Sequence, residues 1–332
     1  MPHTHDPRRD LILAWLDHDL NLDIQSLEPA SADASFRRYF RASLNNGTTL
    51  IVMDAPPQHE DIRPFLHIAQ RLAAHGVHVP AIHAHSLELG LMLLDDFGCT
   101  PLLPVLQQAT PDAADRLYSD ALRALAHLQT CPSDDLPHYD RAKLTREMQL
   151  FETWYLRQHL GLNLNDDDLA LLNATYALLA ARALAQPQGF VHRDYHSRNL
   201  MLTTENPPGM IDFQDAVHGP ITYDIASLLR DSYIEWPDEQ VEHWLRQQHQ
   251  TLLQNQQITA DWPQFKTDFD WISAQRHLKV LGIFARLHHR DGKSGYLADL
   301  PLTLRNLHRS LAPHPEFAEF IDWLNQHGCA RP

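Results

Sequence analysis

The stretch "GFVHRDYHSRNLML", residues 189–202, sets two histidines, two arginines, an aspartate and an asparagine between apolar flanks. The turn "TTENPPG" (203–209) and then "MIDFQD" (210–215) follow it. Two short apolar runs around a Pro-Pro-Gly turn predict a β-hairpin, with Asn199 just before its first strand and Asp212 at the end of its second. That arrangement brings the two side chains together. An amide oxygen beside a carboxylate suits a hard divalent cation, and magnesium is commonly held by one or two such ligands while phosphate oxygens and water fill its other positions. Asp194, earlier in the same loop, is expected beside the cation. Each of these residues taken singly reads equally well as a cap of a turn or helix. Taken together, His192, Asp194, Asn199, Asp212 and Phe213 keep an order and spacing around one hairpin that capping does not explain.

Upstream of this stretch, residues 7–19 space Leu11, Leu13, Trp15 and Leu16 as a helix does. "SFRRYFRA" (35–42) and "TTLIVMD" (48–54) are strand-length runs, and "NNG" (45–47) between them predicts a hairpin turn because Asn and Gly tolerate positive φ. A helix over 62–75 and strands at "VPAIHAHS" (79–86) and "LMLLDD" (91–96) follow, for an order of helix, two strands, helix, two strands. From residue 101 onward the pattern is almost wholly helical: 112–129, 141–159, 166–185, 238–254 and 268–289 all place apolar residues three and four apart. We therefore expect an α+β chain in two lobes. A small β-rich lobe with a mainly antiparallel sheet takes residues 1–97, and a larger helical lobe takes 98–332, joined near "LLDDFGCTP" (93–101). No internal repeat or low-complexity tail is present.

The chain's 332 residues, 44% of them hydrophobic, suffice for two lobes with a core each. A formal charge of -15 argues against general affinity for nucleic acid or an anionic membrane surface, both of which reward Lys and Arg. A small-molecule substrate fits better, and nothing identifies a protein partner. Cys99, Cys131 and Cys329 lie far apart without C-x-x-C spacing, so neither a disulfide framework nor a zinc site is indicated. "MPHTHDPRRD" (1–10) lacks the apolar stretch of a signal peptide, and nowhere do about 18 uncharged apolar residues run together. The expected location is the cytoplasm. "HVPAIHAH" (78–85) invites a metal reading, but its spacing gives no helical i, i+4 pair and its proline implies a loop, so these histidines read as solvated.

H-R-D-x-x-x-x-N at 192–199, with D-F at 212–213, is the pattern by which kinases supply a base and two metal ligands for phosphoryl transfer. On these motifs the sequence resembles the aminoglycoside phosphotransferase and choline kinase-like superfamily, which has the two-lobed protein-kinase-like fold. His196 matches the D-x-H-x-x-N of small-molecule kinases. "GPITYDIAS" (219–227) matches the superfamily's D-[LI]-A, with Asp224 at its head, and no A-P-E segment follows as it would in a protein kinase. The resemblance implies ATP and Mg²⁺ as cofactors, Asp194 as catalytic base, Asn199 and Asp212 as metal ligands, and His192, His196 and Asp224 in support. Asp224 either braces the catalytic loop or caps the helix it precedes. "SFRRYFR", "VMDAPP", "LLDDFG" and "QRHLKVLGIFARL" are similar in turn to the bacterial anomeric sugar kinases of cell-wall recycling, which phosphorylate N-acetylmuramate and N-acetylglucosamine at the C1 hydroxyl.

The chain departs from the kinase pattern in its small lobe. The third-strand lysine that ordinarily holds the α- and β-phosphates is replaced by Met53, and the first lysine anywhere is Lys143. The nearest substitutes are Arg37, Arg38 and Arg41, after a glycine-free "SADAS" (31–35) in which Ser35 offers a hydroxyl and an N–H. Strand alternation puts Arg37 and Arg41 on one face and Arg38 on the other, so at most one set reaches a nucleotide. The competing reading is that all three are solvated strand charges. "LMLLDDFG" (91–98) is then the strand and linker whose backbone, at Leu94 and Asp96, meets the adenine edge.

On the acceptor side, Arg276, Lys279, Arg286 and Arg290 trace a basic stripe on one helix. Arg276 and Arg286 are the pair expected to receive the lactyl carboxylate of N-acetylmuramate; otherwise the stripe is solvated or paired with acids. Asp215 and His218 either bind sugar hydroxyls or brace their loop, and Trp236 either stacks on a sugar or joins the core. The leading expectation is an ATP- and Mg²⁺-dependent kinase of the anomeric hydroxyl of an N-acetylated amino sugar. Two others stand beside it: a kinase of another hydroxylated metabolite, such as an aminoglycoside or choline, and a non-catalytic nucleotide-binding pseudokinase. The missing lysine favours the last; the intact Asp194, Asn199 and Asp212 oppose it.

Overall fold

The computed structural model describes residues 6–32 and 36–329. Residues up to Thr100, together with Met201–Asp215, form one compact unit; Pro101–Leu200 and the chain from Ala216 onward form a second.

The first unit opens with α1 (Pro7–Ala14). Its N-cap Asp6 accepts from the main-chain N–H of Arg8 and Arg9, and a proline fills the first position, where a helix has no use for an N–H. A π-helical turn (Trp15–Asp19) extends it. Next come β1 (Ile24–Ala32), β2 (Arg38–Leu44), β3 (Thr49–Asp54), α2 (Arg63–Ala74), β4 (Ile82–Ser86) and β5 (Leu91–Asp95). The five strands make one antiparallel sheet in the order β1-β2-β3-β5-β4. β1 is the strand that periodicity does not announce, and the order becomes helix, three strands, helix, two strands. Glu28 and Pro29 interrupt its pattern, and its ladder with β2 carries two register shifts. As an edge strand it tolerates a proline whose missing N–H no neighbour requires. Gly47, at φ 86°, turns β2 into β3 in a left-handed conformation that suits glycine. Against the sheet, Ile12, Trp15 and Leu16 from the first helical stretch bury with Leu27, Phe40, Val52 and Leu93.

The chain continues through α3 (Leu102–Leu106), α4 (Pro111–Leu128), α5 (Arg141–Leu150), α6 (Asp166–Ala185), β6 (Gln188–Val191), β7 (Leu200–Met201), β8 (Gly209–Met210), β9 (Val217–Pro220), α7 (Thr222–Leu229), α8 (Asp238–Gln254), α9 (Trp262–His289), α10 (Leu300–Leu311) and α11 (Ala318–Gln326). β7 pairs with β8 and β6 with β9. The helix expected over 141–159 changes character partway: α5 ends at Leu150 and π-helical turns carry it through Phe151–His159. α9 starts six residues before the apolar spacing suggests. Its N-cap Asp261 accepts from the N–H of Gln264, and its first turns are too polar to register as an amphipathic face. Among the described residues α6 alone is long and apolar enough to cross a membrane. Here Leu172, Tyr176, Leu179 and Ala183 of α6 are buried, and its Arg182 pairs with Asp268 of α9 at 2.6 Å.

α9 is the axis of the second unit: at 28 residues it is about 42 Å long, and nearly every residue from Asp268 to Leu287 is buried. Gly282 lies where it passes the end of α5, and a Cβ placed there would overlap the main chain of Leu150. The glycine permits that approach, and one turn earlier Lys279 of α9 meets Glu147 of α5 at 3.4 Å. Gly282→Ala should therefore lower unfolding stability by about 1–3 kcal/mol through overpacking, despite alanine's better helix propensity; urea unfolding midpoints check it.

Candidate active site

β6 and β9 pair with Val191 opposite Val217, and the chain leaves β6 straight into His192-Arg193-Asp194. Asp224, in the first turn of α7, receives this loop: its carboxylate accepts from the main-chain N–H of His192 at 2.6 Å and of Arg193 at 2.9 Å. Arg193 itself has φ 77°, an uncommon angle for a side chain of its size. The N–H of Asp194 donates to Nδ1 of His192 at 3.3 Å. Further on, one oxygen of Asp231 accepts from both the N–H and the hydroxyl of Ser197. Nδ2 of Asn199 donates to the carbonyl of Asp194 at 3.0 Å. That bond fixes the amide so that Oδ1 is directed away from the Asp194 carbonyl.

Charge around Asp194 is arranged by residues far away in sequence. Glu147 holds the Arg193 guanidinium at 2.5 Å and the Lys279 ammonium at 3.4 Å, and it accepts from the Tyr139 hydroxyl. Lys279 also donates to the Tyr223 hydroxyl at 3.1 Å. Burial alone would raise the Asp194 carboxyl, but Lys279 first, then His196, Arg193 and His192, outweigh it and hold Asp194 below its ordinary value. Burial in turn lowers His196, against the pull of Asp231 and Asp194.

In the first unit Asp212 has φ 67°, and the Phe213 ring beside it packs on Phe65 of α2 with centroids 4.7 Å apart. Its carboxylate accepts from Nε2 of Gln214 at 2.8 Å and lies 3.5 Å from the Arg37 guanidinium. Arg38 is engaged elsewhere: it binds the fully buried carboxylate of Asp54 at 2.6 Å and Asp6 at 2.7 Å, while Arg8 reaches the same Asp54. Arg41 pairs with Asp96 at 2.5 Å and donates to the carbonyl of Gly98 at 2.9 Å. Alternation on β2 thus does not sort these arginines, because Arg37 precedes the strand and each of the three has its own carboxylate. Met53 is buried in β3, and Leu94 lies in β5 opposite Ile51 and Ile82, between two strands. Ser35 lies outside the described residues.

The acceptor-side expectations fall in several places. Asp215 is exposed in the first unit, whereas His218 in the second accepts or donates at Ser133 through Nδ1, 2.9 Å away. Trp236 donates to the Tyr118 hydroxyl at 2.8 Å and stands edge-on to Trp244 in an aromatic cluster. Arg276 and Lys279 are buried, Arg286 is half-buried, and Arg290 pairs with Asp291 on the surface. The basic stripe therefore does not act as one surface. Glu147, Asp231 and the burial of Lys279 were not singled out in the sequence; a glutamate on an amphipathic helix looks like any solvated charge. Among the described residues no group of three or more His, Cys, Asp or Glu side chains gathers to hold a metal.

Solved structures share this architecture. An ADP-bound aminoglycoside phosphotransferase superposes with a TM-score of 0.61 at 16% identity, covering 92% of this chain and 99% of that one. The choline kinase LicA from Streptococcus pneumoniae gives 0.60 at 13% identity, covering 91% and 99%. The fold is thus the two-lobed, kinase-like fold of small-molecule phosphotransferases. Residues 26–266 match the phosphotransferase enzyme family, and the chain belongs to it. A Pseudomonas aeruginosa protein named N-acetylmuramate/N-acetylglucosamine kinase is 48% identical over 97% of each chain. A Pseudomonas putida protein of the same name is 44% identical over 95% of each.

Asp224 offers a pH test of the loop anchor. Burial pushes its carboxyl up to about 7, against the two main-chain donors that favour the ionised form. A carboxyl raised on folding stabilises most below its ordinary value of 3.8, and that contribution is lost as pH climbs to about 7. The stability advantage of wild type over Asp224→Asn in urea unfolding should shrink between pH 5 and 7 and level off above. An advantage that grows with pH would mean that the N–H donors prevail over burial.

Proposed function

We propose that this chain is an ATP- and Mg²⁺-dependent kinase that transfers the γ-phosphoryl group to the C1 hydroxyl of N-acetylmuramate and N-acetylglucosamine, in peptidoglycan recycling. The observation that carries the reading is the identity of 44% and 48%, over nearly the whole chain, to two proteins named for those sugars. Asp194, kept ionised by Lys279 and its neighbours, accepts the proton of the attacking hydroxyl. Asn199 and Asp212 hold the metal. The donor set fits magnesium: one carboxylate and one amide whose nitrogen is committed to Asp194, with phosphate oxygens to complete the shell. When bound, the ion neutralises charge on the β- and γ-phosphates.

Arg37 takes the place of the missing lysine at the phosphates, being the small-lobe arginine beside Asp212. Arg38 serves the fold, because without it the buried Asp54 carboxylate keeps, among the described residues, the single cation of Arg8. Of the two linker positions expected to meet the adenine, Leu94 is held within β5 by its neighbours, so the main chain of Asp96, just past that strand, takes the role. An aminoglycoside or choline acceptor would call for an acidic pocket, whereas around His196 the charges of Asp231 and Asp194 are opposed by those of Arg276 and Arg198.

The decisive assay is ADP release with Mg-ATP against N-acetylmuramate, N-acetylglucosamine, their 1-O-methyl glycosides, kanamycin and choline. Turnover on the two free sugars but not on the 1-O-methyl forms is expected; turnover on kanamycin or choline instead would remove the sugar assignment. Arg37→Ala should raise KM for ATP about tenfold with little change in unfolding midpoint. Arg38→Ala should do the reverse, costing about 1–2 kcal/mol of stability because its partner is buried but its own side chain is partly exposed.

A further inference from the structure

Two buried cations of α9 lie three residues apart and differ in one respect. Lys279 has partners in Glu147 and the Tyr223 hydroxyl. Arg276, only 3% exposed, makes no hydrogen bond or ion pair among the described residues, and its Nη1 is enclosed without an acceptor. Nearby carboxylates are already occupied. Asp224, which feels the charge of Arg276, holds the N–H groups of His192 and Arg193. Asp231, which like Arg276 acts on His196, takes Ser197 on one oxygen and the N–H of Tyr233 on the other. A buried guanidinium without a counter-charge is costly, and in folded proteins such groups are paired. Among the described residues Arg276 has no such partner, which leaves the position open to an anionic ligand.

The surroundings indicate which one. Nδ1 of His196 is also enclosed without a partner, and the main chain of His196 donates to the carbonyl of Asp194, the proposed base. The His196 ring stands edge-on to Tyr233, over whose face the Arg198 guanidinium lies 3.5 Å from the centroid. An anionic group carried by the acceptor, close to its reacting hydroxyl, would meet Arg276 here in the forked geometry that guanidinium offers a carboxylate. Arg286, whose Nε is also enclosed without a partner among the described residues, is set apart by distance. It lies ten residues further along α9, about 15 Å away in rise, among Arg290 and Asp291.

We propose that Arg276 receives the carboxylate of the acceptor, the lactyl group of N-acetylmuramate, and so sets the preference for that sugar over the uncharged N-acetylglucosamine; this rests on the sugar-kinase reading above. The test compares wild type with Arg276→Met and Arg276→Lys by steady-state kinetics on both sugars and by thermal unfolding. The ratio of kcat/KM for N-acetylmuramate to that for N-acetylglucosamine should fall about tenfold to a hundredfold in Arg276→Met, chiefly through KM, with a smaller fall in Arg276→Lys. Removing an unpaired buried charge should leave the ligand-free Tm of Arg276→Met equal to wild type or higher.

Equal losses on both sugars would overturn the proposal, because they would place Arg276 on the transferred phosphoryl group that both reactions share. A lowered Tm or failure to fold in Arg276→Met would also overturn it, by showing a structural partner. Wild type that phosphorylates neither sugar would bring down the sugar-kinase reading itself, and this inference with it.

Discussion

The carboxylate of Glu147 is the charge on which the catalytic loop depends. It is largely enclosed beside two cations, Arg193 from the loop and Lys279 from α9, and it accepts from the Tyr139 hydroxyl. None of the three charges is tolerable there alone, since desolvating an unpaired ion costs several kcal/mol. Together they leave one net positive charge beside Asp194. Lys279 is the largest of the influences that keep Asp194 ionised despite burial. The chain of cause runs back to helix packing: the ammonium reaches Glu147 because α5 and α9 approach closely, and they approach closely because position 282 has no side chain.

The loop's main chain obeys the same economy of buried polar groups. A chain leaving β6 at Val191 to expose Asp194 must satisfy N–H groups that no strand partner can reach. Asp224 and Asp231 stand seven residues apart, one in the first turn of α7 and one just past its end. Asp224 takes the N–H groups at the start of the loop and Asp231 those of Ser197 near its finish. α7 is thus a spacer between two carboxylates, and it carries the left-handed conformation of Arg193 that points the guanidinium at Glu147. Asp224 sits inside the helix, not ahead of it, so bracing and capping are separate jobs here.

The loop, the hairpin after it and the long helices were legible in the sequence because each is a local pattern: a motif with fixed spacing, a Pro-Pro-Gly turn, or apolar residues at helical period. What escaped is tertiary. β1 was hidden because an edge strand can carry Glu28 and Pro29 and still pair. Glu147 was hidden because an acidic residue on a helix reads as solvated until its neighbours are known. Lys279 and Arg276 looked like members of one stripe, yet one is satisfied by the chain and the other is not. Periodicity reports which face a residue occupies; it does not report what stands opposite.

The three arginines of the small unit make the same point about the absent lysine. Arg38 and Arg41 each lie within 2.6 Å of a buried or nearly buried carboxylate, so their charge is consumed by the sheet they belong to. Arg37 lies 3.5 Å from Asp212, a longer and looser contact. Its partner differs in kind as well: Asp212 is the carboxylate proposed above for the metal, not a carboxylate of the sheet. The segment that carries Arg37 lies just ahead of β2, outside the ladder that fixes Arg38 and Arg41, so strand pairing does not constrain it. On the reading proposed above, an arginine ahead of the second strand does the work that kinases usually give a third-strand lysine, and Met53, in that lysine's place, is buried in the sheet.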